Sequence, residues 1–304
     1  MADVHYALKE DRAPLALGGR DARPFLQGMV TNDVDRVAVD RAIYAGFLTP
    51  QGRFLHDLFI APSMHDPNPA AFLLDGEAAR LDDLKRRLQL YKLRADVVIT
   101  DARETLVVAV LWGRDAPSAV ELSSDPGAAR RFGGGIVFVD PRLPALGLRA
   151  LLPKEDVRAV LEKAGFTPRP LLDYQRRRIE LGVPEGSPDL PVEKALLLEN
   201  GFEELHGVDF KKGCYIGQEV TARMKYRALV KKRLLPVAIE GPPPAPGTPI
   251  TLDGEEAGEM RTSLDGVGLA LLKLDAFARS HADATPLIAA DSVLRARKPD
   301  WAVF

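Results

Sequence analysis

The chain has 304 residues, of which 46% are hydrophobic and 28% charged, as is typical of a globular protein with two or three structural units. Its net charge of −2 excludes a globally basic nucleic-acid-binding surface, so an RNA contact would need a local patch. The single cysteine excludes an internal disulfide framework, and also a metal or iron–sulfur site built from this chain's cysteines alone.

The N-terminal half of the chain predicts short strands that alternate with helices. Asp21 as a capping residue and Pro24 in the first turn mark the start of a helix. Two β-rich runs flank a TPQGR turn within residues 42–61, which predicts a hairpin. The polar residues 65–70 predict a loop, and the leucine stripe of residues 77–90 predicts an amphipathic helix.

The C-terminal part of the chain predicts a small antiparallel barrel or sandwich. The proline-rich stretch 241–247 reads as a linker or rigid loop, and short β-type runs follow it. A strand-like run at 231–240 precedes this loop and puts the boundary near Val230. We therefore predict one region over residues 1–230 and a barrel over residues 231–304.

The N-terminus carries no targeting pattern of the common kinds. It lacks the apolar run of a signal peptide and the arginine-rich composition of a transit peptide. No stretch approaches the roughly 20 apolar residues of a membrane span. The single cysteine also fits a reducing compartment. These features predict a cytoplasmic protein without a membrane partner.

The only cysteine, Cys214, lies in a loop bounded by glycines. Gly213 and Gly217 permit tight backbone turns and the close approach of a ligand. Lys211 and Lys212 precede the cysteine and would favour its reactive thiolate if the loop curls back. Three interpretations follow for Cys214: a catalytic nucleophile, a metal ligand or redox thiol, and a small packed residue.

A catalytic cysteine–histidine pair has little support from the sequence. Such a nucleophile needs a histidine base within hydrogen-bonding reach. His206 is the nearest histidine in the chain to Cys214, and its spacing alone does not place it there. A thiolate that shares an iron–sulfur cluster with a partner protein or a second copy of the chain, or that enters redox exchange, remains the stronger interpretation.

The motif KGCYIGQE, residues 212–219, resembles the signature of the YgfZ family of folate-binding proteins. That family includes related mitochondrial iron–sulfur assembly factors. It belongs to the superfamily of the glycine-cleavage T-protein, a folate-dependent aminomethyltransferase. Four further blocks resemble family motifs in the expected order: residues 25–34, 49–60, 91–101 and 176–184. The resemblance thus covers nearly the whole chain.

This resemblance implies a fold and a ligand. The fold would be α+β, with T-protein-like folate-binding domains around a central channel and a C-terminal antiparallel β-barrel. The region 1–230 would form two interleaved subdomains. The ligand would be tetrahydrofolate or a one-carbon derivative of it. Short strands and helices followed by late β segments agree with this outline, whereas the channel comes from the resemblance only.

By the same resemblance, Asp57 falls on the T-protein carboxylate that assists one-carbon transfer, and His56 replaces the acid before it. A carboxylate beside the reacting nitrogen can stabilise a developing iminium ion or move a proton. The alternative for Asp57 is a strand-end aspartate that faces water.

Glu180 resembles the T-protein glutamate that binds the pterin ring. A carboxylate accepts two parallel hydrogen bonds, and the pterin edge offers two donors. An i,i+4 salt bridge to Arg176 is the alternative.

The signature and the residues directly after it are predicted to contact the folate through the following residues: Lys212, Gly213, Tyr215, Gly217, Gln218, Glu219 and Arg223. The run from Arg223 to Arg233 holds six lysines and arginines. This run is either a solvated basic face or an attractant for the polyglutamate tails of folates. RNA binding ranks below both.

The leading hypothesis is a tetrahydrofolate-binding accessory protein in the assembly or repair of iron–sulfur enzymes. It would act through Cys214, with iron–sulfur assembly proteins or client iron–sulfur enzymes as partners, and would hold no metal of its own. The rival is an enzyme, a tetrahydrofolate-dependent aminomethyl or one-carbon transferase that uses Asp57. A partner of RNA modification is the third hypothesis. The residues leave open whether the protein is an enzyme.

Overall fold

A computed structural model describes residues 3–63 and 71–304 of the chain, so the loop predicted at 65–70 lies outside the described residues. The described helices are α1 (Ala22–Met29), α2 (Leu81–Lys92), α3 (Ala116–Ala119), α4 (Val157–Lys163), α5 (Leu171–Glu180), α6 (Gly186–Asp189), α7 (Gln218–Tyr226) and α8 (Leu274–Ala282). Short 3-10 turns lie at Val34–Arg36, Ala78–Arg80, Pro144–Leu146 and Leu197–Asn200.

The first eleven strands are β1 (His5–Leu8), β2 (Arg12–Gly18), β3 (Ile43–Leu48), β4 (Phe54–Pro62), β5 (Phe72–Glu77), β6 (Val98–Asp101), β7 (Leu106–Trp112), β8 (Ala129–Phe132), β9 (Gly135–Val139), β10 (Leu148–Pro153) and β11 (Thr167–Pro168). The remaining strands are β12 (Lys232–Glu240), β13 (Pro249–Leu252), β14 (Glu255–Leu264), β15 (Val267–Lys273), β16 (Leu287–Ala289) and β17 (Ser292–Ala296).

The chain divides into two compact units that are interleaved in sequence. Unit 1 comprises Met1–Leu48, Leu55–Tyr174 and His206–Ile216. Unit 2 comprises Thr49–Phe54, Gln175–Leu205 and Gly217–Phe304. The barrel begins at Lys232, next to the predicted boundary. Unit 2 also contains two segments that precede the barrel in sequence, Thr49–Phe54 and Gln175–Leu205. The units are defined by tertiary contacts, which need not follow chain order.

Unit 1 contains two β-sheets. The six-stranded sheet has the order β11-β1-β7-β10-β9-β8, and only its β1–β11 pair is parallel. The five-stranded sheet has the order β3-β4-β5-β2-β6. It contains the predicted hairpin as β3 and β4. The helix predicted over residues 77–90 is present as the 3-10 turn Ala78–Arg80 followed by α2.

Strand β7 shows why the six-stranded sheet is buried on both faces. Its sequence is an almost unbroken apolar run, which is typical of a strand covered on two sides. Ala109 and Leu111 pack into a core that includes Leu161 of α4. Val110 and Trp112, which point to the opposite face, pack with Tyr174 and form a second, smaller core.

Unit 2 contains a closed antiparallel barrel of order β12-β15-β14-β13-β16-β17, in which β17 also pairs with β12. Leu235, Val237 and Ile239 alternate into its interior, as a barrel strand requires. Leu234 points outward and packs against Ile179 of α5. The predicted α+β class with a C-terminal antiparallel barrel is confirmed. The central channel remains a prediction.

No helix in the described ranges has the length and apolar character that a membrane crossing demands.

Candidate functional site

The Cys214 loop, defined as residues Lys212–Ile216, belongs to unit 1 and leaves Cys214 exposed. Gly213 has φ +92° and Gly217, which precedes α7, has φ +81°. These are left-handed conformations that glycine adopts without steric cost. The interpretation of Cys214 as a small packed residue is wrong, because its side chain is exposed.

Lys212 fixes the beginning of the Cys214 loop to the end of α1. Its Nζ donates hydrogen bonds to the carbonyl oxygens of Gln27 at 2.6 Å and Val30 at 2.5 Å. Carbonyls at a helix C-terminus carry partial negative charge and attract cations. Burial lowers the pKa of Lys212 to about 8. The charge of the nearby Asp33 carboxylate acts in the opposite direction and raises this pKa. The ammonium therefore serves as an anchor, and its predicted folate contact remains a prediction.

Two further contacts hold the Cys214 loop in place. The backbone N–H of Ile216 donates to the Gly28 carbonyl at 3.2 Å. The Lys212 ammonium lies 5.1 Å from the centroid of the Tyr215 ring, within the range of a cation–π contact. Lys212, Tyr215 and Ile216 thus position the loop on which Cys214 is exposed.

Asp57 lies within β4, a strand whose nine residues are all buried. It is only 1% exposed, so the alternative of a water-facing aspartate at a strand end is wrong. Its Oδ1 accepts a hydrogen bond from Arg12 Nη1 at 2.7 Å, and its Oδ2 accepts one from the Tyr44 hydroxyl at 3.2 Å. A buried carboxylate requires such partners.

Asp57 ends a series of six alternating charges, here called the buried ion chain: Asp57, Arg12, Asp75, Arg149, Asp140 and Arg142. All six are at most 4% exposed. Arg12 Nε lies 2.7 Å from Asp75 Oδ1, and Arg149 Nη1 lies 2.6 Å from Asp75 Oδ2. Three carboxylates thus meet three guanidinium groups, and the charge of the group is balanced.

The far end of the buried ion chain is formed by Arg149, Asp140 and Arg142. Arg149 Nε lies 3.6 Å from Asp140 Oδ2, and Arg142 donates to both oxygens of Asp140 at 3.0 and 2.8 Å. The Phe59 ring covers the chain, with the Arg149 guanidinium carbon 3.7 Å from its centroid. Strands β2, β4, β5 and β10 supply residues of this network.

His56 precedes Asp57 on β4 and so points to the opposite face of the strand. Its Nε2 lies 3.1 Å from Asp83 Oδ2 on α2, and its ring stacks near Phe47. Burial, together with the charge of Arg80, lowers the pKa of His56 to about 4, although Asp83 opposes this shift. His56 is therefore a neutral, buried partner of α2.

Glu180 is the last residue of α5 and is half-exposed. Its Oε1 lies 3.8 Å from Arg176 Nη1, so the alternative of an i,i+4 ion pair is present, although at a long distance. This loose pair leaves the carboxylate accessible to other donors. The pterin contact of Glu180 remains a prediction.

The predicted folate residues of α7 lie in unit 2. Glu219 and Arg223 form an i,i+4 ion pair at 2.7 Å with both side chains exposed, and Gln218 is the first residue of the helix. Two cations of the basic run are also paired, since Lys225 contacts Glu203 and Arg233 contacts Glu204. The run is therefore not a continuous free basic surface, which weakens both the polyglutamate and the RNA interpretations.

Sequence reasoning missed the other members of the buried ion chain to which Asp57 belongs. Arg149 lies in the apolar strand sequence LRALLP, and Asp75 lies in FLLDGE. A charge in the middle of a buried strand is seldom left without a partner. This signal marks both residues as members of a buried pair, but it does not say which charges meet. Within residues 3–63 and 71–304, no cluster of three or more His, Cys, Asp or Glu side chains could hold a metal ion.

The barrel and the whole chain both have known relatives. Residues 231–304 match the family described as the CAF17 C-terminal beta-barrel domain. The chain is 35% identical to the iron–sulfur cluster assembly factor IBA57, mitochondrial, of Mus musculus, over 96% of this chain and 84% of that protein. Identity to the Homo sapiens protein of the same name is also 35%, over 96% and 83%.

The fold resembles that of a solved T-protein. The glycine cleavage system aminomethyltransferase T from Bartonella henselae superposes with a TM-score of 0.76, over 99% of this chain and 87% of that one. Sequence identity is 14%, so this similarity establishes the fold and not the activity. The predicted T-protein-like fold is confirmed.

The predicted cytoplasmic location is wrong, because the names of these relatives, and of the 33% identical homologue from Mycosarcoma maydis, place them in mitochondria. The prediction rested on the lack of a common targeting pattern and on the single cysteine, and a single cysteine does not distinguish one reducing compartment from another.

The predicted kinship to mitochondrial iron–sulfur assembly factors is confirmed, although none of these relatives carries the YgfZ name. Because more than a third of the residues are identical over nearly the full length of both chains, this protein belongs to the iron–sulfur cluster assembly factor IBA57 family.

Proposed function

We propose that this protein acts in iron–sulfur cluster assembly or repair by presenting the Cys214 thiolate to a cluster held jointly with a partner. The exposure of Cys214 on an anchored loop carries the proposal. Clusters are bound through several thiolates, and one cysteine supplies one of them. An iron–sulfur assembly protein or a client enzyme would supply the others.

Tetrahydrofolate is the ligand that we propose for the T-protein-like fold. Glu180 supports this proposal, because its half-exposed carboxylate has only a 3.8 Å ion pair and can accept two parallel hydrogen bonds from a pterin edge. In this proposal the folate binds to the protein, and it is not a ligand of the iron–sulfur cluster.

The rival reaction, one-carbon transfer assisted by Asp57, has less support. That chemistry needs a carboxylate that reaches the reacting nitrogen. Asp57 is 1% exposed, and Arg12 and Tyr44 already occupy its two oxygens. The arrangement of Asp57 is that of a structural ion pair.

The cluster role is tested by rescue of cells that lack this protein. Activities of cluster-dependent enzymes are measured after expression of the wild type, Cys214→Ala, or Lys211→Ala as a control in the same exposed segment. We expect Cys214→Ala to fail and Lys211→Ala to restore the activities, at equal protein abundance. Full rescue by Cys214→Ala would refute the cluster role.

An Asp57→Asn arm distinguishes the transferase. Selective failure of this variant at normal abundance would favour one-carbon chemistry, whereas failure with reduced abundance would indicate loss of the buried ion chain.

Folate binding is tested by calorimetric titration of the purified protein with tetrahydrofolate. Since a hydrogen bond to a charged group contributes about 1.5–3 kcal/mol, Glu180→Gln should weaken binding by about tenfold or more. Glu240→Gln is the matched control, because the Glu240 side chain is exposed and is also paired with an arginine, Arg295. No binding of millimolar tetrahydrofolate to the wild type would refute the folate role and leave the cluster role unaffected.

A further inference from the structure

A cavity lies entirely within unit 2. None of the residues discussed above as folate or cluster ligands lines it. Its volume is about 630 Å³, which is within the range of small-molecule sites. The segment 187–200 forms one wall, and barrel strands β14 and β15 contribute another. Leu196, Met260 and Leu271 give part of the lining an apolar character.

The charged lining of this cavity is positive on balance. Its cations are Arg53, Lys194, Lys232 and Arg261, and its carboxylates are Glu199 and Glu259. The Arg261 guanidinium is paired with Glu259 at 2.7 Å. Among the residues that the structure describes, neither the Lys194 nor the Lys232 ammonium has a hydrogen-bonded or ion-paired partner. The cavity thus retains positive charge that its own carboxylates do not neutralise.

Two buried polar atoms of the lining have no hydrogen-bond partner in the described part of the chain. They are Oδ1 of Asn200, a residue 2% exposed, and Nε of Arg261, a residue 8% exposed. The Asn200 amide group is held in place because its Nδ2 donates to the Leu196 carbonyl at 2.8 Å. Native proteins rarely leave a buried acceptor and a buried donor unsatisfied. Both residues line the same cavity, so a ligand or water bound there would lie next to these two atoms.

We propose that this cavity binds a small organic anion, with a carboxylate or phosphate group at Lys232 and Arg261 and a hydrogen-bond donor at Asn200 Oδ1. The Lys232 ammonium and the Nε–H of Arg261, which lacks a hydrogen-bond partner among the described residues, favour the anionic group. The unpaired carbonyl oxygen of Asn200 selects an adjacent amino or hydroxyl group. The apolar wall accommodates a short carbon chain.

The opposing charge of Glu199 is compatible with this assignment. Burial raises the pKa of Glu199, while Lys232, Arg53 and Arg261 lower it. The Glu199 carboxylate therefore interacts with the same cations as the proposed ligand. A bound anion would compete with Glu199 for them, so ligands with an added amino group have a further advantage next to Glu199.

The test uses the purified full chain at constant ionic strength and three probes: inorganic phosphate, glutarate and L-glutamate. Binding is followed by calorimetry and by the ¹⁵N–¹H signal of the Arg261 Nε–H group, assigned with Arg261→Lys. We expect saturable binding of at least one anion with a shift of this signal. Tighter binding of L-glutamate than of glutarate would show that the cavity recognises the added amino group, through Asn200 Oδ1 or the Glu199 carboxylate, and the phosphate arm separates a phosphate site from a carboxylate site.

Lys232→Met should weaken this binding by about tenfold, because it removes a charge-assisted contact. Lys231→Met is the matched control, since Lys231 is exposed and does not line the cavity. Equal losses in the two variants would indicate a nonspecific effect of net charge and would overturn the proposal. Absence of saturable binding of all three probes at millimolar concentration would also overturn it. Neither result depends on cluster assembly.

Discussion

Asp57 and Cys214 were both selected by motif, and both belong to unit 1, yet their surroundings are opposite. Asp57 is 1% exposed and ends a chain of six alternating charges. Cys214 is exposed on a loop with one lysine anchor and a left-handed glycine. Selection by a family motif therefore does not imply a common environment. The buried carboxylate contacts other side chains of the protein, whereas the thiol is exposed.

The difference has a simple energetic origin. Strand β4 is covered on both faces, so a charged residue there must bring its neutralising partner into the core. In the Cys214 loop, in contrast, the Lys212 ammonium donates hydrogen bonds to backbone carbonyls, and the Cys214 side chain is exposed. Four predictions on stability sharpen this comparison.

The largest effect is expected from Arg12→Met. This change leaves the Asp57 and Asp75 carboxylates buried without their shared guanidinium, and breaking such a pair costs about 3–5 kcal/mol. Denaturant unfolding would measure the loss. Arg20→Met is the control, because the Arg20–Asp96 pair is exposed and should contribute much less to stability. Similar losses in both variants would contradict a special role for the buried ion chain.

His56 should make the fold sensitive to acid. Its folded pKa of about 4 lies below its unfolded value of 6.5, so its contribution is present above pH 6.5 and is lost as the pH falls through about 4. The full change is on the order of 3 kcal/mol. His56→Gln should flatten the curve of unfolding free energy against pH in this window, whereas His281→Gln, at an exposed position, should not. An unchanged slope in His56→Gln would refute the assignment.

Lys212→Met should cost about 1–2 kcal/mol, because it removes a charged donor from the end of α1. Hydrogen exchange should also show faster opening of the Cys214 loop. The folded pKa of about 8 lies below the model-peptide value of 10.5. The wild type should therefore gain stability as the pH rises from 8 towards 10.5, and the variant should lack this gain.

Lys211→Met is the control for the lysine anchor, since Lys211 is exposed. If both variants lost the same stability, the anchor would have no special role.

The smallest effect on stability is expected from Cys214→Ala. An exposed side chain outside any network typically changes the unfolding free energy by less than about 0.5 kcal/mol. The same variant should lose its function in cells. A loss of more than about 1 kcal/mol in denaturant unfolding would mean that the thiol is part of the packing and would reverse the comparison with Asp57.

The candidate site could be predicted only in part. The glycine-bounded loop around Cys214 and the loose Arg176–Glu180 pair follow from local spacing, and the structure contains both. The burial of Asp57 could not be predicted, because its partners Arg12 and Asp75 are distant in sequence. Arg12 lies 45 residues from Asp57 and 63 from Asp75, and Asp75 lies 74 from Arg149.

The sequence by itself determined the local elements: the hairpin of β3 and β4, the amphipathic helix within residues 77–90, the left-handed glycines and a β-rich C-terminal region. These depend on backbone preferences and on the spacing of apolar residues, which act over a few positions. Only the tertiary structure decided which charges meet in unit 1, which lysine is an anchor, and where unit 2 encloses a positively charged cavity. Charge pairing and cavity shape depend on distances between residues that are remote along the chain, and local pattern carries no information on those distances.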